Sequence, residues 1–106
     1  MSTPTDENRD LLTVVAYVRA AEGKTEELRV ALEALIEPTS KEEGYVNYDL
    51  HQGVDDPSFF TFYENWLSGE HLDAHLAAPH LVEFADKMGD LLDENGLSVN
   101  RVRRIA

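Results

Sequence analysis

Residues 11–20, "LLTVVAYVRA", and 58–66, "SFFTFYENW", constrain the fold more than any other feature of the chain. Both are rich in β-branched and aromatic residues and read as strands. Side chains alternate between the two sides of a strand. In the first segment Leu12, Val14, Ala16 and Val18 fall on one side, with Val15 and Tyr17 on the other. In the second, Phe60, Phe62, Glu64 and Trp66 stand opposite Phe59, Thr61, Tyr63 and Asn65. Strands that are apolar on both sides need cover on both.

Helices supply one cover. After the turn "AEGK", residues 24–36 repeat Leu28, Leu32, Leu35 and Ile36 at helical spacing, with glutamates elsewhere, and Pro38 is expected to end that helix. "TSKEEG" reads as a loop and "YVNYDLHQ" (Tyr45–Gln52) as the second strand. In it Tyr45, Asn47, Asp49 and His51 alternate with Val46, Tyr48, Leu50 and Gln52. "GVDDP" leads to the third strand. Ser68 is a natural N-cap for a helix running to about Ala77, and Pro79 suits the first position of the next. Leu81, Phe84, Ala85, Met88, Leu91 and Leu92 give that helix its apolar stripe; "ENG" closes it, and "LSVNRVRRI" is the last strand. The order is β-α-β-β-α-β, the split ferredoxin-like α+β arrangement, an antiparallel sheet with helices on one face. The second face is left bare. The expected cover is another copy of the chain, a homodimer whose sheets pack face to face.

Composition narrows the function. Residues 1–10 are polar, without apolar periodicity, and read as a flexible tail before a single domain of residues 11–106. The chain has 42% hydrophobic and 28% charged residues, which are globular values. It has no apolar run of the roughly 20 residues that span a bilayer and no signal-peptide pattern, so a cytoplasmic protein without membrane contact is expected. Zero cysteines exclude disulfides, thiol catalysis and cysteine-held metals. A formal net charge of −12 argues against nucleic acid as a partner. The basic residues of "NRVRR", Arg101 and Arg103, are expected on one strand face, paired with the abundant acids.

Four pieces in order, "VRA…GK…EL", "E-x-G-Y-x-x-Y-D-L-H", "F-Y-E-N-W" and "L-D-A-H-L-A-A-P-H-L", resemble the antibiotic biosynthesis monooxygenase family, including its quinol monooxygenases, from about Val14 to Phe84. The resemblance implies a dimeric α+β barrel. It also implies oxygenation of small phenols or hydroquinones with O₂ as co-substrate and no metal or flavin. Other members degrade haem, and at least one isomerises a phosphorylated sugar. The haem-degrading pattern has an Asn on the first strand, a Trp on the helix after the third and a His ten residues later. This chain has no Asn in residues 11–20, and has His75 and Ala85 at the other two positions. Haem degradation is therefore disfavoured.

The candidate catalytic residues are His75, Glu64 and His51. Glu64 stands on an aromatic strand face, where a carboxylate is costly unless paired and its pKa can rise toward neutrality. It is as readily a structural acid bonded to a neighbour. His75 lies beside Leu72 and Leu76 on the apolar side of its helix, where a lone His is more often a core residue; the family pattern favours a role for it. His51 and Tyr48 fall on opposite strand faces, so only one can reach a given pocket. Asn47, Tyr48 and His80 are candidates to orient a small aromatic substrate, and Phe62 and Trp66 to wall it. Glu64, Trp66, His75 and His80 are expected to converge on a cavity between the facing sheets. His71 reads as a surface residue. "HLDAH" has the i, i+4 spacing of a zinc helix, but Leu72 replaces the zincin glutamate and no metal is expected.

The resulting expectation is a cofactor-independent monooxygenase acting on a small hydroquinone or polyphenol. A base removes a phenolic proton, and the electron-rich anion reacts directly with O₂. The alternatives are an isomerase of a small carbonyl or sugar-phosphate compound, active without O₂, and a small-molecule-binding stress protein with no turnover.

Overall fold

The computed structural model describes residues 10–106. Apart from Asp10, the expected N-terminal tail lies outside them. The elements run β1 (Leu12–Ala20), α1 (Thr25–Glu33), α2 (Ile36–Ser40), β2 (Tyr45–Gln52), β3 (Phe59–Trp66), α3 (Gly69–Leu76), α4 (Pro79–Leu91) and β4 (Leu92–Val102). The strands form one sheet in the order β2-β3-β1-β4 with every neighbouring pair antiparallel. This is the expected ferredoxin-like α+β arrangement. No helix among the described residues is long and apolar enough to cross a membrane.

The alternation read in β1 and β3 fixes the layers. Val14 pairs with Glu64, Ala16 with Phe62 and Val18 with Phe60. All six are buried under the helices, with Leu28 and Leu32 of α1, Leu72 of α3 and Phe84 of α4. Burying a side chain such as Leu28 or Leu32 contributes about 1.5–3 kcal/mol each. On the other face Tyr17 and Tyr63 are 42% and 45% exposed. Tyr17 stacks on Phe59, ring centroids 5.6 Å apart, and the Arg19 guanidinium lies 5.3 Å over Phe59. A polar seam crosses this face: Thr13 Oγ1 donates to Asn65 Oδ1, and Asn65 Nδ2 donates to Asn47 Oδ1 at 2.9 Å.

Three local features differ from the sequence reading, each for a physical reason. The first helix ends at Glu33, and a second, α2, contains Pro38. A proline ring collides with the carbonyl four residues before it and offers no N–H. The break accordingly falls at Ala34 and Leu35, one turn upstream, and Pro38 occupies the first turn of α2, where its missing N–H has no helical partner to lose. In β2, Tyr45 pairs with Trp66 but Asn47 pairs with Asn65, so Val46 is an extra residue. Tyr45 therefore leaves the face of Asn47 and sets its ring edge-on to Trp66, at 6.4 Å. Finally, β4 begins before "ENG": Leu92 pairs with Ala20, and pairing resumes at Leu97 with Val18. Asn95, with φ of 59°, and Gly96 form the irregularity between. A Cβ on Gly96 would lie 2.7 Å from the Arg19 carbonyl oxygen.

Candidate active site

The sheet and its own helices line a partly open cavity of about 220 Å³. Val14, Ala16, Phe62, Leu72, Leu81 and Phe84 supply much of its wall, and Tyr48, Glu64 and His75 are its polar members. Leu76, Leu97 and Val99, all partly exposed, stand toward the outside. Four of the candidates, Tyr48, Phe62, Glu64 and His75, thus meet within one chain, on the helix-covered face. The expected position between two facing sheets is corrected by the alternation itself, since Glu64 shares its side with Phe60 and Phe62, under the helices.

Glu64 is 5% exposed. Its Oε1 accepts a hydrogen bond from Trp66 Nε1 at 3.0 Å. The two residues share a strand face two positions apart, so β geometry alone aligns them. Burial raises the Glu64 pKa to about 7; the Trp66 hydrogen bond opposes the rise, and the charge of Glu42 adds to it. Near neutral pH this carboxyl is poised between acid and base.

His75 is 1% exposed. Helical spacing turns it inward with Leu72, under the Ser68 cap, whose Oγ accepts from the His71 backbone N–H at 3.3 Å. His75 Nδ1 lies 2.8 Å from Glu42 Oε2. A carboxylate only accepts, so Nδ1 carries the proton and Nε2 holds the lone pair. Burial lowers the His75 pKa, against the opposing pull of Glu42, which keeps the ring neutral near pH 7. Its ring lies 4.5 Å from Trp66 and 5.2 Å from Tyr48. Tyr48 in turn stacks on Phe62 at 4.5 Å. Burial and the charges of Glu64 and Glu42 raise the Tyr48 pKa, so its hydroxyl remains a donor.

Other candidates stand elsewhere. His80 is absent from the cavity wall; its Nε2 lies 2.9 Å from the same Glu42 oxygen and 3.1 Å from Thr39 Oγ1. Trp66 is fully buried behind the wall rather than in it. His51 is exposed and pairs with Thr61 on the open sheet face, and Asn47 lies on that face too, donating to Asp49 and to the Tyr63 carbonyl. Neither reaches Glu64 or His75, because strand alternation sends them to the opposite side. His71 is half-buried: Nδ1 is 2.8 Å from Ser68 Oγ, and the ring packs on Gly44. Arg101 pairs with Asp73 at 3.0 Å, as expected of it; β4 ends at Val102, before Arg103.

Glu42 was missed. It lies in "TSKEEG", which shows no periodicity, and 33 residues separate it from His75. α2 and the Gly44 turn bring it in: the Glu42 N–H bonds to the Thr39 carbonyl at 3.0 Å, and Gly44 has φ of 81°. The one sequence signal was the family motif "E-x-G-Y", whose first letter is Glu42.

A neutral histidine oriented by a glutamate, a near-neutral carboxyl and an aromatic-lined cavity make an acid/base site. The family model for antibiotic biosynthesis monooxygenase matches residues 11–87. The chain belongs to the antibiotic biosynthesis monooxygenase family. It is 30% identical over 83 residues to the Synechocystis protein sll1783, covering 78% of this chain and 56% of that one, so it spans little more than half of that relative. It is 35% identical over 96 residues to an Escherichia coli K12 protein named probable quinol monooxygenase YgiN, covering 80% and 92% of the two chains. Among solved structures of similar fold, PA3566 from Pseudomonas aeruginosa superposes with a TM-score of 0.86 at 31% identity, over 93% of this chain and 98% of that one.

Proposed function

We propose that this family member is a cofactor-independent monooxygenase acting on a small phenol or hydroquinone. The observation that carries the reading is the pairing of His75 with Glu42 at the wall of an apolar cavity. An apolar cavity of about 150 Å³ accepts a benzene ring. The 220 Å³ here leaves room for substituents and O₂. No Lys or Arg lines the cavity among the described residues, which favours an aromatic over a phosphorylated substrate.

In this mechanism His75 Nε2 takes the phenolic proton, and Glu42 stabilises the imidazolium through Nδ1–H. The phenolate passes one electron to O₂, and the resulting radical pair combines at a ring carbon as a hydroperoxide. Protonation of the distal oxygen, with Glu64 as the acid, breaks the O–O bond. The ring C–H proton leaves, a carbonyl remains and water departs. A hydroquinone plus O₂ gives a hydroxyquinone plus one water, with atoms and electrons balanced. Tyr48 donates a hydrogen bond to the substrate oxygen, and the dry wall of Phe62 and Leu72 suppresses competing protonation.

The test is O₂ consumption with a panel of hydroquinones, with EDTA present and no flavin. His75→Ala is expected to lower turnover by about 10²-fold or more with the fold intact. Uptake no greater than autoxidation across the panel would overturn the reading. Product formed equally well without O₂ would instead identify an isomerase.

A further inference from the structure

Beside the cavity, Glu42, His75 and His80 hold three potential ligand atoms within 4.8 Å of one another. We propose that this cluster is a binding site for a divalent transition-metal ion, with Glu42 Oε2, His75 Nδ1 and His80 Nε2 as ligands, and that the ion switches off His75 as a base. The second part rests on the oxygenase reading; the first does not.

The donor set is two imidazoles and one carboxylate. Nitrogen-rich sites of this kind suit Zn²⁺, Cu²⁺ or Ni²⁺ rather than Mg²⁺ or Ca²⁺. Three protein ligands with a position left for water is the pattern of an open zinc site. The ligands come from three separate backbone segments: the turn after α2, the last turn of α3 and the start of α4. The Nδ1 and Nε2 atoms now lie 2.8 and 2.9 Å from the Glu42 oxygen. A tetrahedral ion with bonds near 2.1 Å needs ligand spacings of about 3.4 Å. Each imidazole must therefore withdraw by roughly half an ångström and move its proton to the ring's other nitrogen, Nε2 in His75 and Nδ1 in His80. Thr39 Oγ1, 3.1 Å from His80 Nε2, is placed to hold a metal-bound water. The side chains of His80 and Glu42 are 20% and 16% exposed, against 2% for His75, so an ion enters from the His80 side without crossing the cavity.

The switch follows from the tautomer. With Nδ1–H donated to Glu42, Nε2 has the free lone pair. With Nδ1 on a metal, a neutral imidazole carries its proton on Nε2 and cannot accept another. Ion binding and proton abstraction exclude each other.

The experiment is calorimetric titration of untagged, EDTA-stripped and desalted protein with ZnCl₂. One ion per chain is expected. Binding should weaken tenfold or more in His80→Ala and Glu42→Gln, and be unchanged in His71→Ala, which removes the other histidine of "HLDAH". Long-range ¹H–¹⁵N spectra of the wild type provide a readout independent of variant folding: Zn²⁺ should shift His75 Nδ1 and His80 Nε2 and leave His51 in place. No saturable binding, or loss of binding in His71→Ala, overturns the site. Hydroquinone oxidation should fall along the same Zn²⁺ isotherm; saturation without loss of turnover overturns the switch. Binding as expected in a protein that never consumes O₂ sustains the metal site and removes the oxygenase.

Discussion

At the residue scale the site turns on two buried groups that titrate away from their ordinary ranges. Burial raises Glu64 from 4.5 to about 7. Between those values the folded chain holds a proton that the unfolded chain has released. The stability tied to Glu64 is therefore fully present below about pH 4.5 and is lost as pH rises through about 7. Glu64→Gln removes a dependence on the order of 3 kcal/mol. In urea unfolding with EDTA present, the variant should gain on the wild type between about pH 5 and pH 8. A constant difference between the two would contradict the buried acid. Glu64 and His75 were legible because strand alternation and helical spacing turn both inward with Phe62 and Leu72. Glu42 was not, since no local pattern marks a loop acid whose partner lies 33 residues away.

At the element scale the strands were readable and the helix boundaries less so: Thr39 and Ser40 of "TSKEEG", read as loop, close α2. Pro38 signals a break, but the clash it causes falls one turn earlier, at Ala34. The Val46 bulge follows from the pairing of β2 with β3, which residues 45–52 do not encode alone. Gly44 is the turn residue that places Glu42 at the site. Its φ is 81°, and an added Cβ would lie 2.1 Å from His71 Cγ. Its carbonyl also accepts from Leu67 N–H at 2.9 Å, tying the turn to the end of β3. Gly44→Ala should therefore destabilise the fold by about 1–3 kcal/mol in chemical unfolding. It should also displace Glu42 from His75, seen as loss of the Nδ1–H signal in imidazole spectra. Unchanged stability would show that the turn tolerates a side chain.

At the scale of the whole molecule, we propose that two chains associate through the open sheet face. Tyr17, Tyr63 and Val102 leave that face more than 40% exposed at three large side chains. Sedimentation should find a dimer at micromolar concentration, and Tyr63→Glu should convert it to a folded monomer. A well-folded wild-type monomer would remove the inference. The cavity belongs to one chain, so such a monomer keeps the site's wall intact.

Trp66 gives the molecule one more property. It is the chain's single tryptophan, fully buried, hydrogen-bonded to Glu64 and 4.5 Å from the His75 ring. Its intrinsic fluorescence therefore comes from one known place, between the two titrating groups. Protonation of either group, arrival of an ion at Glu42 or entry of an aromatic ring into the cavity changes the field or the quenching at that indole. The fold carries its own optical probe, and events at the site can be followed without a label.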